Sequence, residues 1–383
     1  MHVLKPPMGW NSWNTFGEQI NEEVVMQSAD LLVSSGLADV GYNYIVIDDC
    51  WSLRHRDENG RLVPDPAKFP HGMKYVSDYV HSKGLKFGMY SCAGMNTCAG
   101  YPGSYDHEFV DAASFAEWGV DFLKYDYCFH PVSVPGPILY KRMAVALANS
   151  GRDILFSACS WGADQTKNWI KETGANMWRT TLDINDSWKS IKTLAMQAGD
   201  SIAHGGINCF PDMDMLVVGM NGQGNVGLAG CTEEEYRTHF SLWALLGSPL
   251  MIGCDIRKMD DATRRILMNN EVLAINQDPA YHQAYLACSY VDRKEVDEDH
   301  PIYVRLLDNG DYALGFFNYS DEPGNRWNSY LLTDLIGLPE NTGKTLLARD
   351  LWTGEEIKVT DGIFAPSVPA HGCRLFRAKV VDR

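Results

Sequence analysis

The chain has 383 residues, 45% of them hydrophobic and 21% charged, the ordinary composition of a protein that buries a large core. Its formal net charge of −16 offers polyanions nothing to bind, so nucleic acid and anionic membrane surfaces are excluded as natural partners. No stretch approaches the ~18 apolar residues of a membrane span, and the length suits one large domain and one small one.

The opening MHVLKPPMGWNSWN has no basic segment followed by an apolar one. The chain as given therefore reads as cytoplasmic, although a secreted form trimmed of its leader would read the same. Candidate strands and helices then alternate over residues 1–283. PPMGWNSW (6–13) is the first strand, and the following NEEVVMQSADLLVSSG carries apolar residues at helical spacing between Asn21 and the stop residue Gly36, predicting a helix over 22–36. YIVIDD (44–49) precedes a helix over 72–83, KFGMYS (86–91) one over 109–118, and DFLKYD (121–126) one over 138–150. ILFSAC (154–159), MWRTTLD (177–183), GGINCF (205–210) and PLMIGC (249–254) precede helices over 165–173, 187–199, 232–246 and 260–269. Eight such units predict an α/β fold, a (β/α)8 TIM barrel.

Residues 284–383 change texture: IYVRLL, YALGFFNY, KTLLARDLW and CRLFRAKVV are separated by DNGD, SDEPGN and WTGEE. These are hairpin signals and predict a C-terminal antiparallel β-domain, a β-sandwich. Its aromatics Phe316, Phe317, Tyr319, Trp327, Tyr330 and Trp352 read as core rather than as a polysaccharide-binding face. The ten cysteines contain no CxxC, and no HExxH occurs, so most read as buried thiols rather than zinc ligands.

A barrel of this type carries its active site at the C-terminal ends of its strands. The residues that end the candidate strands are Trp10 and Trp13, Asp48 and Asp49, Tyr90, Lys124 and Asp126, Cys159 and Trp161, Arg179 and Asp183, and, just past the seventh, Asp214. One Asp after a strand is most often a cap or turn residue. Here five carboxylates and several rings converge on one mouth, a composition that suits a sugar: rings stack on C–H faces while carboxylates bind hydroxyls. Glycoside hydrolysis needs two carboxylic residues flanking the scissile bond, a need that Asp126 and Asp183 meet. Metal catalysis is the competitor. PDMDML offers Asp212 and Asp214, but the eleven histidines are dispersed and no metal ligand is assigned, a carboxylate-only magnesium site staying open.

At these residues the sequence resembles glycoside hydrolase family 27, the group of α-galactosidases and α-N-acetylgalactosaminidases. The motifs PMGWNSWN, IDDCW, DFLKYDYC, WRTTLDINDSW, DMDMLVVG, GSPLMIGCDI and AINQDP stand in the family's order through nearly the whole chain. The resemblance implies a (β/α)8 barrel followed by an antiparallel β-sandwich, and cofactor-free hydrolysis of terminal α-linked galactosides with retained configuration. It assigns the nucleophile to Asp126, the Asp of KYD, and the acid/base to Asp183, four residues after the Arg of WR. Asp48 and Asp49 match the pair that holds the 4- and 6-hydroxyls of galactose. Trp13, Tyr90, Arg179 and Asp214 match further sugar contacts, Trp161 a platform, and Cys98, Cys159 and Ser160 also fall among the substrate-binding positions. The family further pairs Cys98 with Cys128 in a disulfide, which a reducing cytoplasm would leave as thiols.

Lys124 lies two residues before Asp126, so strand alternation sends both into the mouth, where the ammonium would keep the carboxylate ionised. Asp183 is expected instead to hold its proton at neutral pH, through burial and the charge of the nucleophile. One departure bears on specificity. After the fifth strand the chain reads ACSWGADQ, with Ser160 where many α-galactosidases have a Glu contacting the sugar 2-position. Small residues at Ser160 and Ala163 go, in animal relatives, with room for a 2-acetamido group, whereas Gly162 resembles the plant and bacterial loops. The expected activity is thus that of an exo-α-galactosidase on oligosaccharides or glycoconjugates, with α-N-acetylgalactosaminidase as the alternative. Both acids of IDDCW argue against β-L-arabinopyranosidase, and the presence of Asp126 and Asp183 argues against a silent sugar-binding barrel. The natural leaving group is not legible, and a homo-oligomer stays open.

Overall fold

The computed structural model describes residues 2–287, 298–324 and 328–383, so Trp327 lies outside the described residues. The chain groups into two compact units, residues 1–230 with 249–268 and residues 231–248 with 269–383.

The first unit is built on eight parallel strands: β1 (Met8–Asn11), β2 (Tyr44–Val46), β3 (Lys86–Cys92), β4 (Phe122–Asp126), β5 (Leu155–Cys159), β6 (Met177–Arg179), β7 (Phe210–Asp212) and β8 (Leu250–Ile252). They pair in the order β8-β1-β2-β3-β4-β5-β6-β7. The ring closes beyond β7, where Leu216 bridges Ile252 in parallel. Its N–H donates to the Met251 carbonyl at 2.8 Å and its carbonyl accepts from the Gly253 N–H at 2.9 Å. This is the barrel that the βα alternation predicts, and its strands are apolar and buried almost throughout, as a parallel sheet covered on both faces requires. Gly9 is needed in β1, because a Cβ there would stand 2.4 Å from the carbonyl oxygen of Tyr44 in β2.

Helices α1 (Glu22–Ser34), α2 (Gly72–Ser82), α3 (Glu108–Trp118), α4 (Gly136–Ala148), α5 (Ile170–Thr173) and α6 (Trp188–Ile202) follow the first six strands in turn. α7 (Glu233–Leu245) and α8 (Asp261–Leu267) follow β7 and β8, α7 grouping with the second unit. The start signal at Asn21 works as the sequence implies: its side chain accepts from the Val24 N–H at 2.9 Å and caps α1.

Three local differences from the sequence expectation matter for the site. GGINCF is a turn in which Gly206 bridges Cys209, and β7 starts only at Phe210. β6 stops at Arg179, which puts Asp183 on the loop beyond it. The segment after β2 forms a small hairpin, Ser52–Arg56 with Leu62–Pro64, that alternation did not announce.

In the second unit, β9 (Tyr285–Leu286), β10 (Ile302–Leu306), β11 (Tyr312–Phe317), β12 (Lys344–Asp350), β13 (Glu356–Lys358) and β14 (Cys373–Asp382) form an antiparallel sheet in the order β9-β10-β11-β14-β12-β13. A two-stranded pair, Leu331–Leu332 with Ile363–Phe364, adds the smaller sheet. Phe316, Phe364 and Phe376 meet edge to face at the centre of the core, with centroids 4.8–6.0 Å apart. Phe316, Phe317 and Tyr319 are buried as expected of core residues, whereas Tyr330 and Trp352 are only half-buried. No helix among the described residues is long and apolar enough to cross a membrane.

Candidate active site

The ends of β1, β2, β3, β4 and β6, with the loops beyond them and beyond β7, enclose a small cavity of about 50 Å³. Trp13, Asp48, Asp49, Tyr90, Cys98, Lys124, Asp126, Arg179, Asp183 and Asp214 all line it, as the sequence predicts. Trp10 does not: it is fully buried core, its indole N–H donating to the Cys254 carbonyl at 3.0 Å.

β4 explains the charges at its end. Phe122, Leu123 and Tyr125 are buried apolar residues, and the pleat turns Lys124 and Asp126 together into the cavity. Lys124 Nζ donates to Asp48 Oδ2 at 2.8 Å. Burial works against the ammonium, but Asp48, with further help from Asp126 and Asp214, raises its pKa well above the ordinary lysine value. Asn11 Nδ2 donates to the same Asp48 oxygen at 2.7 Å, and the Asp49 N–H donates to Asp48 Oδ1 at 2.9 Å. Asp48 is therefore fixed by a cation and two neutral donors.

The adjacent Asp49 accepts the Cys50 N–H at 2.7 Å and the Ala99 N–H at 3.0 Å. Burial raises its pKa against those donors. Ala99 belongs to the loop beyond β3 that carries Cys98, and Cys98 is joined to Cys128 in a disulfide, the pairing that the resemblance implies. Sulfur atoms of both lie within 4.8 Å of an Asp126 carboxylate oxygen. Gly94 lets the two loops meet: a Cβ there would stand 1.9 Å from the Cys128 carbonyl oxygen.

Asp126 sits in a hydrogen-bonded seat. Tyr90 Oη donates to Oδ2 at 2.9 Å and the Tyr127 N–H donates to Oδ1 at 2.9 Å. Burial nevertheless pushes its pKa up to about 6, opposed by Lys124 and by these donors. Asp183 behaves in the opposite way. Its side chain is 73% exposed, and Arg179 Nη2 donates to its Oδ1 at 2.8 Å. Partial desolvation pulls its pKa upward, but the guanidinium prevails and holds the carboxyl below the usual aspartate value. The expectation that Asp183 holds its proton at neutral pH is thus not met, whereas Asp126, although raised to about 6, is still mostly ionised there. The physical reason is that Arg179, on β6, contacts Asp183, while Asp126 lies in the drier position.

Arg179 also reaches Asp214, Nη1 to Oδ1 at 2.9 Å, and Asp214 accepts the Ile184 N–H at 2.7 Å. Burial raises the Asp214 pKa against the guanidinium, and Asp183 adds to the rise. One cation therefore serves two carboxyls. Asp212 at the end of β7 is buried, its carboxylate accepting the Asp214 N–H at 2.9 Å, and its pKa is pushed up to about 6 chiefly by burial.

Three expected binding residues are not in the lining. Cys159 is buried with its sulfur 3.7 Å from Arg179 Nη1. Ser160 is buried and its hydroxyl pairs with Thr166 Oγ1 at 2.6 Å. Trp161 packs edge-on against Tyr127, with centroids 6.4 Å apart. Trp161, Gly162, Asp164 and Gln165 have φ values of +55°, +77°, +52° and +55°, left-handed positions on either side of Ala163 that bend the loop after β5. Ala163 does not line the cavity either, so room for a 2-acetamido group cannot be read from Ser160 and Ala163. Asn14, Ile184, Met215 and Val226 line the cavity without having been singled out in the sequence, and Asn11 was missed as the partner of Asp48. Asn11 and Asn14 stand inside GWNSWN, where the tryptophans draw the eye first.

Residues 5–278 match the family model described as alpha galactosidase A, and residues 297–378 match the alpha galactosidase C-terminal beta sandwich domain. Over 372 residues the chain is 45% identical to alpha-galactosidase 3 of Arabidopsis thaliana, covering 97% of this chain and 81% of that one. It is 44% identical to an alpha-galactosidase of Cyamopsis tetragonoloba over 372 residues, 97% of this chain and 85% of that one. The crystal structure of alpha-galactosidase I from Mortierella vinacea superposes with a TM-score of 0.89 at 34% identity, covering 98% of this chain and 97% of that one.

Proposed function

The chain belongs to glycoside hydrolase family 27, the α-galactosidase family, and from that premise we propose that it removes terminal α-linked galactose from oligosaccharides or glycoconjugates with retention, Asp126 serving as nucleophile and Asp183 as acid/base. The observation that carries the assignment of roles is the unequal exposure of the two carboxyls. Asp126 is buried beneath the mouth, where an inserted sugar presents its anomeric carbon, and Asp183 is 73% exposed, where a leaving group departs.

An ionised Asp126 oxygen attacks the anomeric carbon while Asp183 gives its proton to the departing glycosidic oxygen, leaving a galactosyl ester on Asp126 and an ionised Asp183. Water then gives a proton to Asp183 and its oxygen to the anomeric carbon, the ester breaks, and two inversions yield net retention. Tyr90 and the Tyr127 N–H hold the attacking carboxylate in one orientation. Asp48 and Asp49, fixed by Lys124, Asn11 and the Ala99 N–H, are supported as acceptors for the sugar hydroxyls.

The test is kcat/KM on an aryl α-galactoside and an aryl α-N-acetylgalactosaminide side by side, with proton NMR of the first product anomer and Asp126→Asn as blank. Preference for the galactoside with α-galactose released first is expected. Preference for the acetamido sugar would overturn the substrate, and β-galactose released first would overturn the two-step mechanism.

A further inference from the structure

We propose that the second unit carries a separate, non-catalytic site for a neutral pyranose, centred on Trp352. The proposal goes beyond hydrolysis, whose residues all lie in the first unit. A cavity of about 400 Å³ opens there between α7 and the ends of β12 and β14, the size of a small-ligand pocket. Trp352 lines it from the turn between β12 and β13 and is half-buried, unlike the core aromatics of the same unit.

The indole and the backbone that carries it are both held. Its Nε1–H donates to Ser241 Oγ on α7 at 2.9 Å, while Asp350 Oδ1 accepts the N–H groups of Trp352 and Thr353 at 2.8 and 2.9 Å. A fixed ring gives a ligand a stacking face without an ordering cost on binding.

The charges around the ring define what it would take. Arg237 is paired with Glu234, and Arg374 with Asp350 and with Glu355, the last at 2.7 Å. With each guanidinium already answered by carboxylate, a phosphate or sulfate finds no unpaired cation. Ion pairs of this kind offer donors and acceptors side by side, the pattern that vicinal hydroxyls match because each hydroxyl both donates and accepts. Arg237 Nε is buried with no hydrogen-bond partner among the described residues. A hydroxyl-rich ring with one C–H face against the indole satisfies both the rim and the platform.

The experiment is affinity electrophoresis of the full chain in a native gel containing galactomannan, with Asp126→Asn as parent so that the polymer is not trimmed. Any retardation due to the catalytic pocket is common to parent and derivatives. Adding Trp352→Ala, or in a second derivative Ser367→Tyr to plug the cavity from its exposed wall, is expected to weaken retardation at least threefold. Each substitution alone in the otherwise native chain should leave kcat/KM on a small aryl α-galactoside within twofold, which reports folding and separates this proposal from the catalytic one. If Trp352→Ala fails that control, Ser367→Tyr decides. A parent that runs unretarded, or cavity variants retarded as strongly as the parent, would overturn the proposal.

Discussion

Arg179 Nη2 stands 2.8 Å from Asp183 Oδ1, and this ion pair, together with the burial of Asp126, sets the proton order of the two carboxyls assigned to catalysis above. The proposed reaction needs Asp126 ionised and Asp183 protonated, yet burial lifts Asp126 to about 6 and Arg179 holds Asp183 below its ordinary value. The reacting form is then a minority protonation state of the two carboxyls. With an unactivated α-galactoside, kcat/KM should fall as the pH rises through about 6, because the last shared proton is lost there. With Asp183→Ala and an aryl galactoside whose leaving group is already acidic, only ionised Asp126 is needed, so the rate should rise with pH to a plateau. Profiles that fall together in both proteins would refute that order.

Asp126 should also cost stability. Its folded pKa of about 6 lies above the unfolded value of 3.8, so the native state holds the extra proton between them. The group is neutral in its effect below 3.8, becomes progressively destabilising as the pH rises from there to 6, and above 6 costs on the order of 3 kcal/mol. Asp126→Asn should therefore melt above the native protein at pH 7, with the margin shrinking towards pH 4. A margin independent of pH would show that burial does not raise this carboxyl.

The disulfide ties down the loop that presents the Ala99 N–H to Asp49. Reduction, or Cys128→Ser, should raise KM for an aryl α-galactoside by roughly 10- to 150-fold, the equivalent of one hydrogen bond to a charged group. If Asp49 holds the 6-hydroxyl, the effect on an aryl β-L-arabinopyranoside, which lacks that carbon, should be smaller. Equal KM values before and after reduction would remove the positioning role.

Ser160→Ala should leave the ratio of α-galactoside to α-N-acetylgalactosaminide turnover unchanged, because its hydroxyl is spent on Thr166 away from the mouth. The loss of a buried hydrogen bond should instead lower stability by about 1 kcal/mol. A changed ratio with unchanged melting would return Ser160 to the site.

What was legible in the sequence had a short-range cause. Alternation in FLKYD fixes the common side of Lys124 and Asp126, and eight apolar runs with helical spacers fix the barrel. What was not legible depends on backbone conformations that composition does not announce. The left-handed residues Trp161, Gly162, Asp164 and Gln165 bend the loop after β5, and Ser160 and Trp161 do not line the mouth. The seventh strand was misplaced because Pro211 lies inside it, where proline ordinarily argues against a strand, while GGINCF looks extended and turns. The inverted pKa order escaped because the four-residue spacing of Arg179 and Asp183 was visible, but their contact was not.

The barrel's seam at Leu216 has a kinetic consequence. Two hydrogen bonds from one residue join the region beyond β7 to β8, where most other strand pairs are joined along a ladder. The Leu216 and Gly253 amides should therefore exchange with deuterium ahead of the β3 and β4 amides, through a local opening rather than global unfolding. Asp214 is two residues from that seam and shares Arg179 with Asp183. Each opening would thus momentarily disturb the Arg179 pairing that Asp214 shares with Asp183, and filling the mouth with a bound sugar should slow exchange at Leu216 more than at the strand centres.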